Sequence, residues 1–144
     1  MKKSRIKLGE NDIKKSDVAL LNILLKQLNP DSSRIDFKRI KDVMKFGIII
    51  TLRDSGVLIG MGTLIPMKKL FSFCGSIEDI IVEKNYRGKG FGKKILKSLI
   101  KKSKVLGMRF VDLTSNPKRI KANKLYPSVG FEKRKTNVYR LYNF

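Results

Sequence analysis

Apolar positions in the first third of this chain recur every three or four residues, and near residue 47 that spacing changes. In "KKSDVALLNILLKQL", Val18, Leu21, Leu24, Leu25 and Leu28 fall on one face of a helix that Asn29-Pro30 ends. A second short helix is expected after Ser33, which forms a weak capping box with Asp36, and it runs to about Lys45. Ahead of both, "RIKL" at residues 5–8 reads as a short first strand. From Phe46 onward the chain turns β-branched and apolar. The stretch "FGIIITLRDSGVLIGMGTLIPMKKLFSFCGSIEDIIVE" predicts three successive strands of an antiparallel meander, with an Asp54-Ser55-Gly56 turn.

The helical period returns past residue 90. Ile95, Leu96, Leu99, Ile100 and Leu106 form one stripe with lysines on the other face, and Gly107 ends the helix. "RFVDLTS" predicts a short strand, "PKRIKANKLYPSVG" a helix ending near Gly130, and "FEKRK" with "NVYRLYN" a terminal hairpin. No linker, repeat or low-complexity segment interrupts this order. Residues 1–144 are therefore read as a single mixed α/β domain, long enough to build a core without staples.

Composition narrows the chemistry. The lone Cys74, on a strand with apolar neighbours Phe71 and Phe73, reads as core packing; with no second cysteine there is no internal disulfide, which fits a reducing compartment. Histidine is absent, which removes Ser/His/Asp and Cys/His catalysis and argues against a zinc site. "MKKSRIKLGEND" has the cations of a signal peptide without an apolar stretch behind them, and no apolar run is long enough to span a bilayer. The expectation is a soluble cytoplasmic protein with no metal and no membrane partner. The net charge of +21 is spread along the whole chain. Two readings stay open: a generally lysine-rich composition, or a field that draws anionic ligands and polyanions such as nucleic acid.

The densest chemistry lies in "EKNYRGKGFGKKIL", residues 83–96, three glycines among cations between a predicted strand and a predicted helix. It lacks the spacing of a P-loop. It also misses the dinucleotide fingerprint, because Gly88 and Gly90 fit the first two positions and the third falls on Lys93. What remains is R-x-x-G-x-G, formed by Arg87, Gly90 and Gly92. A loop opening a helix offers unpaired N–H groups and the positive end of the helix dipole, and glycines let an anion approach the backbone. Arg87, Lys89, Lys93 and Lys94 add charge suited to a pyrophosphate. The competing reading is a glycine turn leading into a solvated basic helix.

"EDIIVEKNYRGKGFGKKILKSLI" resembles the strand, loop and helix of the GNAT superfamily of acyl-CoA N-acyltransferases, with its R/Q-x-x-G-x-G/A signature. "NPKRIKANKLYPSVGF" resembles that family's A-x-x-L-Y-x-x-x-G-F segment, with Ala122, Leu125, Tyr126, Gly130 and Phe131 in place. The resemblance covers residues 77–131. It implies the GNAT fold: a central, mostly antiparallel sheet of about six to seven strands, splayed between strands 4 and 5 and flanked by about four helices. It also implies acetyl-CoA as acyl donor and a primary amine as acceptor. The pyrophosphate is then expected on the backbone of Arg87, Gly88, Lys89, Gly90, Phe91, Gly92 and Lys93, and the pantetheine arm along the main chain of Ile80, Ile81 and Val82. Tyr126 is the expected acid beside the sulfur, and a strand N–H, of Ile81 or Val82, the donor to the thioester oxygen.

For the base, the resemblance points to Glu78, placed by strand alternation on the face of Ile80 and Val82, with Asp79 and Asp112 as weaker candidates; a sheet salt bridge is the competing role. Where many relatives have a cofactor-contacting asparagine, this chain has Arg119, with Asn116 and Asn123 to either side. "GSIEDIIV" weakly resembles the sugar-phosphate branch, and a cationic enzyme suits a small acidic or phosphorylated amine. Acetylation of protein N-termini or lysines, and a nucleic-acid-binding module that lost turnover, are the alternatives. A homodimer is left open.

Overall fold

The computed structural model describes residues 5–144, and the chain divides into two compact units, Met1–Leu113 and Thr114–Phe144. The first holds a five-stranded sheet of β1 (Ile6–Glu10), β2 (Ile48–Asp54), β3 (Val57–Lys68), β4 (Phe73–Val82) and β5 (Val111–Asp112), in that order. Pairing is antiparallel through β4 and parallel between β4 and β5. The β2–β3 turn holds Ser55 at φ 49° and Gly56 at φ 86°. Two left-handed residues in a row match the right-handed twist of the strands they join.

Helices α1 (Val18–Leu28), α2 (Phe37–Phe46) and α3 (Phe91–Val105) cover the sheet. On one face Leu21, Leu24 and Ile40 of α1 and α2 bury against Ile49, Met61 and Ile81. On the other, α3 buries Ile95, Leu96 and Leu99 completely. Gly62 sets that contact, since a Cβ there would stand 2.8 Å from both Ile95 Cγ2 and Leu99 Cδ1. The buried polar Asn22 pins the connection between α1 and α2. Its amide nitrogen donates to the Ile35 carbonyl and its oxygen accepts the Ile35 N–H, each at 2.9 Å. Arg53 on β2 grips Asp17 through two bonds of 3.0 and 2.8 Å, and this holds the pKa of the Asp17 carboxyl below the usual carboxylate range.

The second unit contains α4 (Ile120–Ser128), with Pro127 in its last turn. The expected terminal hairpin does not form, so the sheet has five strands rather than six or seven. Alternation gives a segment the capacity to pair, but pairing also needs a facing edge and a surface to cover the apolar side. Val138, Tyr139, Leu141 and Tyr142 find neither and are exposed. Two smaller differences are local. Asp36, not Ser33, caps α2, its carboxylate accepting the Arg39 N–H at 2.9 Å. Leu106 falls past the end of α3 and is exposed, while Cys74 is buried as expected.

Candidate active site

The edge of β4 is where the sheet opens. β4 pairs with β5 only at Gly75 with Val111 and Ser76 with Asp112, with Gly75 N–H donating to the Phe110 carbonyl at 3.1 Å. From Ile77 to Val82 no strand pairs with that edge among the described residues. Pairing on the other side decides which main-chain groups face the opening. Glu83 N–H donates to Ile59 O at 2.8 Å, so hydrogen-bonded pairs in this antiparallel ladder fall at Ile59/Glu83 and Met61/Ile81. The amide of Ile81 is therefore spent on β3. Those of Ile80 and Val82 point to the open edge, which corrects the expectation that Ile81 also contributes there.

A bulge changes the side-chain faces as well. Met61 opposes Ile81 and Thr63 opposes Glu78, so Asp79 and Ile80 together oppose Gly62. Asp79 takes up the extra residue at φ 53°, a left-handed conformation rare outside glycine, asparagine and aspartate. Strict alternation puts Glu78 with Ile80 and Val82. The bulge moves it to the α1/α2 face with Ile81, leaving Ile80 and Val82 on the α3 face. There the Glu78 carboxylate accepts the Ser76 hydroxyl at 2.6 Å. Asp79 keeps one side open to solvent, yet the protein packed around its carboxyl raises its pKa, and the neighbouring Glu78 raises it further.

β4 runs through a 3-10 turn, Lys84–Tyr86, into the glycine loop. Gly88 (φ 77°) and Gly90 (φ 82°) both adopt the left-handed region, with open space where each Cβ would stand. The first helical bond of α3 runs from Lys94 N–H to Gly90 O at 3.1 Å. The N–H groups of Phe91, Gly92 and Lys93 precede it and emerge at the helix end. Arg87 and Lys89 take structural partners here as well as carrying charge. Arg87 Nε donates to the Val82 carbonyl at 2.8 Å, and the Lys89 ammonium lies 5.6 Å from the Tyr86 ring centroid. Lys93 is exposed in the first turn.

One feature of this loop escaped sequence reading. The Tyr86 hydroxyl donates to the Asp54 carboxylate at 2.6 Å, tying the loop to the β2–β3 turn, and that bond raises the pKa of the phenol. Thirty-two residues separate the pair. Nothing in local spacing marks it.

The remaining expected residues lie in the second unit. Tyr126 is buried, with its ring edge-on to Phe131 at 6.0 Å, and its hydroxyl has no hydrogen-bond partner among the described residues. Asn116 and Asn123 shape the approach to α4. Asn116 Oδ1 accepts the Lys118 N–H at 2.9 Å, and Asn123 Nδ2 donates to the Asn116 carbonyl at 2.9 Å. Arg119 stands at the N-cap of α4 and is exposed.

A strand edge left open beside a left-handed glycine loop and a bare helix start is an arrangement for holding a phosphorylated, amide-bearing arm. Residues 18–131 match the acetyltransferase (GNAT) family. The chain belongs to the GNAT family of acetyltransferases. Glucosamine 6-phosphate N-acetyltransferase of Arabidopsis thaliana is 28% identical over 109 residues, which cover 70% of this chain and 72% of that protein. The enzyme of the same name from Trypanosoma brucei brucei is 29% identical over 131 residues, covering 86% and 85%. An aminoglycoside N-acetyltransferase solved in complex with CoA shares the fold at a TM-score of 0.80 and 16% identity, over 99% of this chain and 98% of that one. This GNAT chain is accordingly an acetyl-CoA-dependent N-acetyltransferase, built on a five-stranded sheet open between β4 and β5.

Proposed function

We propose that this enzyme acetylates the primary amine of a small phosphorylated aminosugar by direct attack within a ternary complex. The observation that carries the acceptor class is the pair of relatives named for glucosamine 6-phosphate, which match 70% and 86% of the chain. The +21 net charge supports it, because a cationic field attracts a phosphorylated acceptor and repels a polyamine.

Acetyl-CoA supplies the activated acyl group as a thioester. The cradle fits its diphosphate: the N–H groups of Phe91, Gly92 and Lys93 meet the anion, and Gly88 and Gly90 keep side-chain atoms out of its way. Main-chain groups of Ile80 and Val82 bind an amide-bearing arm as a neighbouring strand would. The Val82 N–H, in a residue whose carbonyl is already braced by Arg87, is the donor for the thioester oxygen as charge grows there. Asp79, whose pKa is raised by burial, takes the proton of the attacking ammonium, and Glu78, fixed by Ser76, positions the amine. The resemblance to the family assigns Tyr126 as the proton donor to the departing thiolate. Holding the reactants together supplies most of the acceleration in such a transfer.

Thiol release with acetyl-CoA and a panel of glucosamine 6-phosphate, glucosamine and an acidic peptide with a free N-terminus tests this. The expected result is a kcat/KM for the phosphorylated sugar about 100-fold or more above that for glucosamine, or roughly 2.7 kcal/mol. Equal rates for both sugars would remove the phosphate from the proposal. Preference for the peptide would make this a protein acetyltransferase.

A further inference from the structure

The end of the sheet remote from the glycine loop is unlike the rest of the surface. β4 is ten residues long, about 30 Å at the usual rise per residue, and the β3–β4 turn lies at its start while the glycine loop lies past its finish. At the tip of that turn Leu70 is 100% exposed and Phe71 95% exposed. Lys69 N–H closes the turn on the Ser72 carbonyl at 2.8 Å, so the two side chains sit on an ordered hairpin tip. The neighbouring segment joins them. Arg109 N–H donates to the Phe73 carbonyl at 2.8 Å, which places Val105, Leu106 and Phe110, all exposed, at the same end.

Cations predominate there. Lys68, Lys69, Lys104 and Arg109 lie in segments 67–76 and 101–111, which contain no carboxylate; the nearest acids are Glu10, ion-paired with Lys102, and Asp112 on β5. A second copy docking by the same patch would set cation against cation. Duplex nucleic acid would satisfy the cations and leave Leu70 and Phe71 in water. What suits both the apolar tip and its basic rim is a surface that is apolar inside and anionic outside.

We propose that the β3–β4 tip docks this enzyme on anionic phospholipid bilayers, Leu70 and Phe71 inserting at the acyl boundary and the flanking cations meeting the headgroups. No helix among the described residues is long and apolar enough to cross a membrane, and this docking needs none. It departs from the expectation of a chain without a membrane partner, because sequence could not show two adjacent apolar residues standing wholly in solvent.

The test is co-sedimentation of the full chain with vesicles of phosphatidylcholine alone or with about 30 mol% phosphatidylglycerol. Binding is expected to the anionic vesicles only. Leu70→Ser/Phe71→Ser is expected to weaken it by about 100-fold or more, and Lys68→Gln/Lys69→Gln by about 10-fold or more, at unchanged turnover and melting temperature. The chain has no tryptophan, so Phe71→Trp adds a single reporter, and a blue shift of its emission on anionic vesicles is expected. Several results would overturn the proposal. Binding unaffected by the double serine change, or without an emission shift in the Phe71→Trp variant, would mean adhesion by surface charge alone. No vesicle binding, with self-association that the serine variant abolishes, would make the tip a protein interface.

Discussion

Gly92 offers a test in which stability and cofactor affinity are expected to move in opposite directions. It is the second residue of α3, lies outside the left-handed region, and a Cβ there would meet only Val82 Cγ2, at an ordinary 3.9 Å. The fold therefore accommodates Gly92→Glu. Replacing a helical glycine with glutamate gains roughly 0.6 kcal/mol in propensity. A carboxylate in the first turn, where α3 has none, adds about 0.3–1 kcal/mol against the helix dipole. Unfolding a chain of 144 residues carries an entropy of about 0.3 kcal/mol/K, so the ligand-free melting temperature should rise on the order of 4 °C. The same carboxylate stands beside the first-turn N–H groups proposed to meet phosphate. Losing two charge-assisted hydrogen bonds at about 1.5–3 kcal/mol each predicts at least a roughly 100-fold weaker Kd for acetyl-CoA. Calorimetric unfolding without ligand and isothermal titration with acetyl-CoA read the two quantities separately. A raised melting temperature with affinity within threefold of the parent refutes the pyrophosphate assignment. A lowered melting temperature refutes the account of the Gly92 backbone.

Three further sets of substitutions probe other parts of the site and its scaffold. Tyr126→Phe keeps the ring edge against Phe131 and removes the hydroxyl, so kcat should fall about 100-fold or more while acetyl-CoA affinity stays within twofold; a threefold loss or less assigns the tyrosine to packing. Asp54→Ala and Tyr86→Phe each cut the tie between the glycine loop and the β2–β3 turn, which predicts a KM for acetyl-CoA raised about 3- to 10-fold at constant kcat. The double variant should be no worse than either single one, and additive losses would show that the two residues act separately. Asp17→Asn removes the largely buried partner of Arg53 and should cost on the order of 2 kcal/mol at pH 7. Because Arg53 depresses the pKa of folded Asp17, its contribution is present above the unfolded value of 3.8 and is lost as pH falls through the folded one. The stability gap between parent and variant should close on acidification, and a gap that persists below that range contradicts the ion-pair account.

Local rules carried the sequence a long way. The period in Val18 to Leu28, the switch near residue 47 and the Asp54-Ser55-Gly56 turn each depend on near neighbours, and each element formed close to where it was expected. The glycine loop was legible for the same reason, because Gly88 and Gly90 need backbone conformations that few residues supply. What failed depends on partners distant in sequence. The "NVYRLYN" segment has the alternation of a strand, but alternation does not report whether an edge faces it. The contact between Asp54 and Tyr86 joins two loops whose sequences give no sign of each other.

The bulge at Asp79 is the consequential case. Counting by twos along β4 puts Glu78 on the face of Ile80 and Val82, and one left-handed residue reverses that assignment for everything on one side of it. Asp79 is a tolerable choice at φ 53° because a short polar side chain costs less there than a branched or bulky one. On the loop side of the extra residue the ordinary ladder leaves the Val82 amide on the open edge while Ile81 is fixed to β3, so the strand keeps its place in the sheet while offering hydrogen-bonding groups outward. It also sets two adjacent carboxylates side by side on β4, and the Glu78 charge disfavours ionisation of Asp79. The irregularity that defeats the sequence pattern thus falls at the one carboxyl of this strand whose pKa is raised by burial.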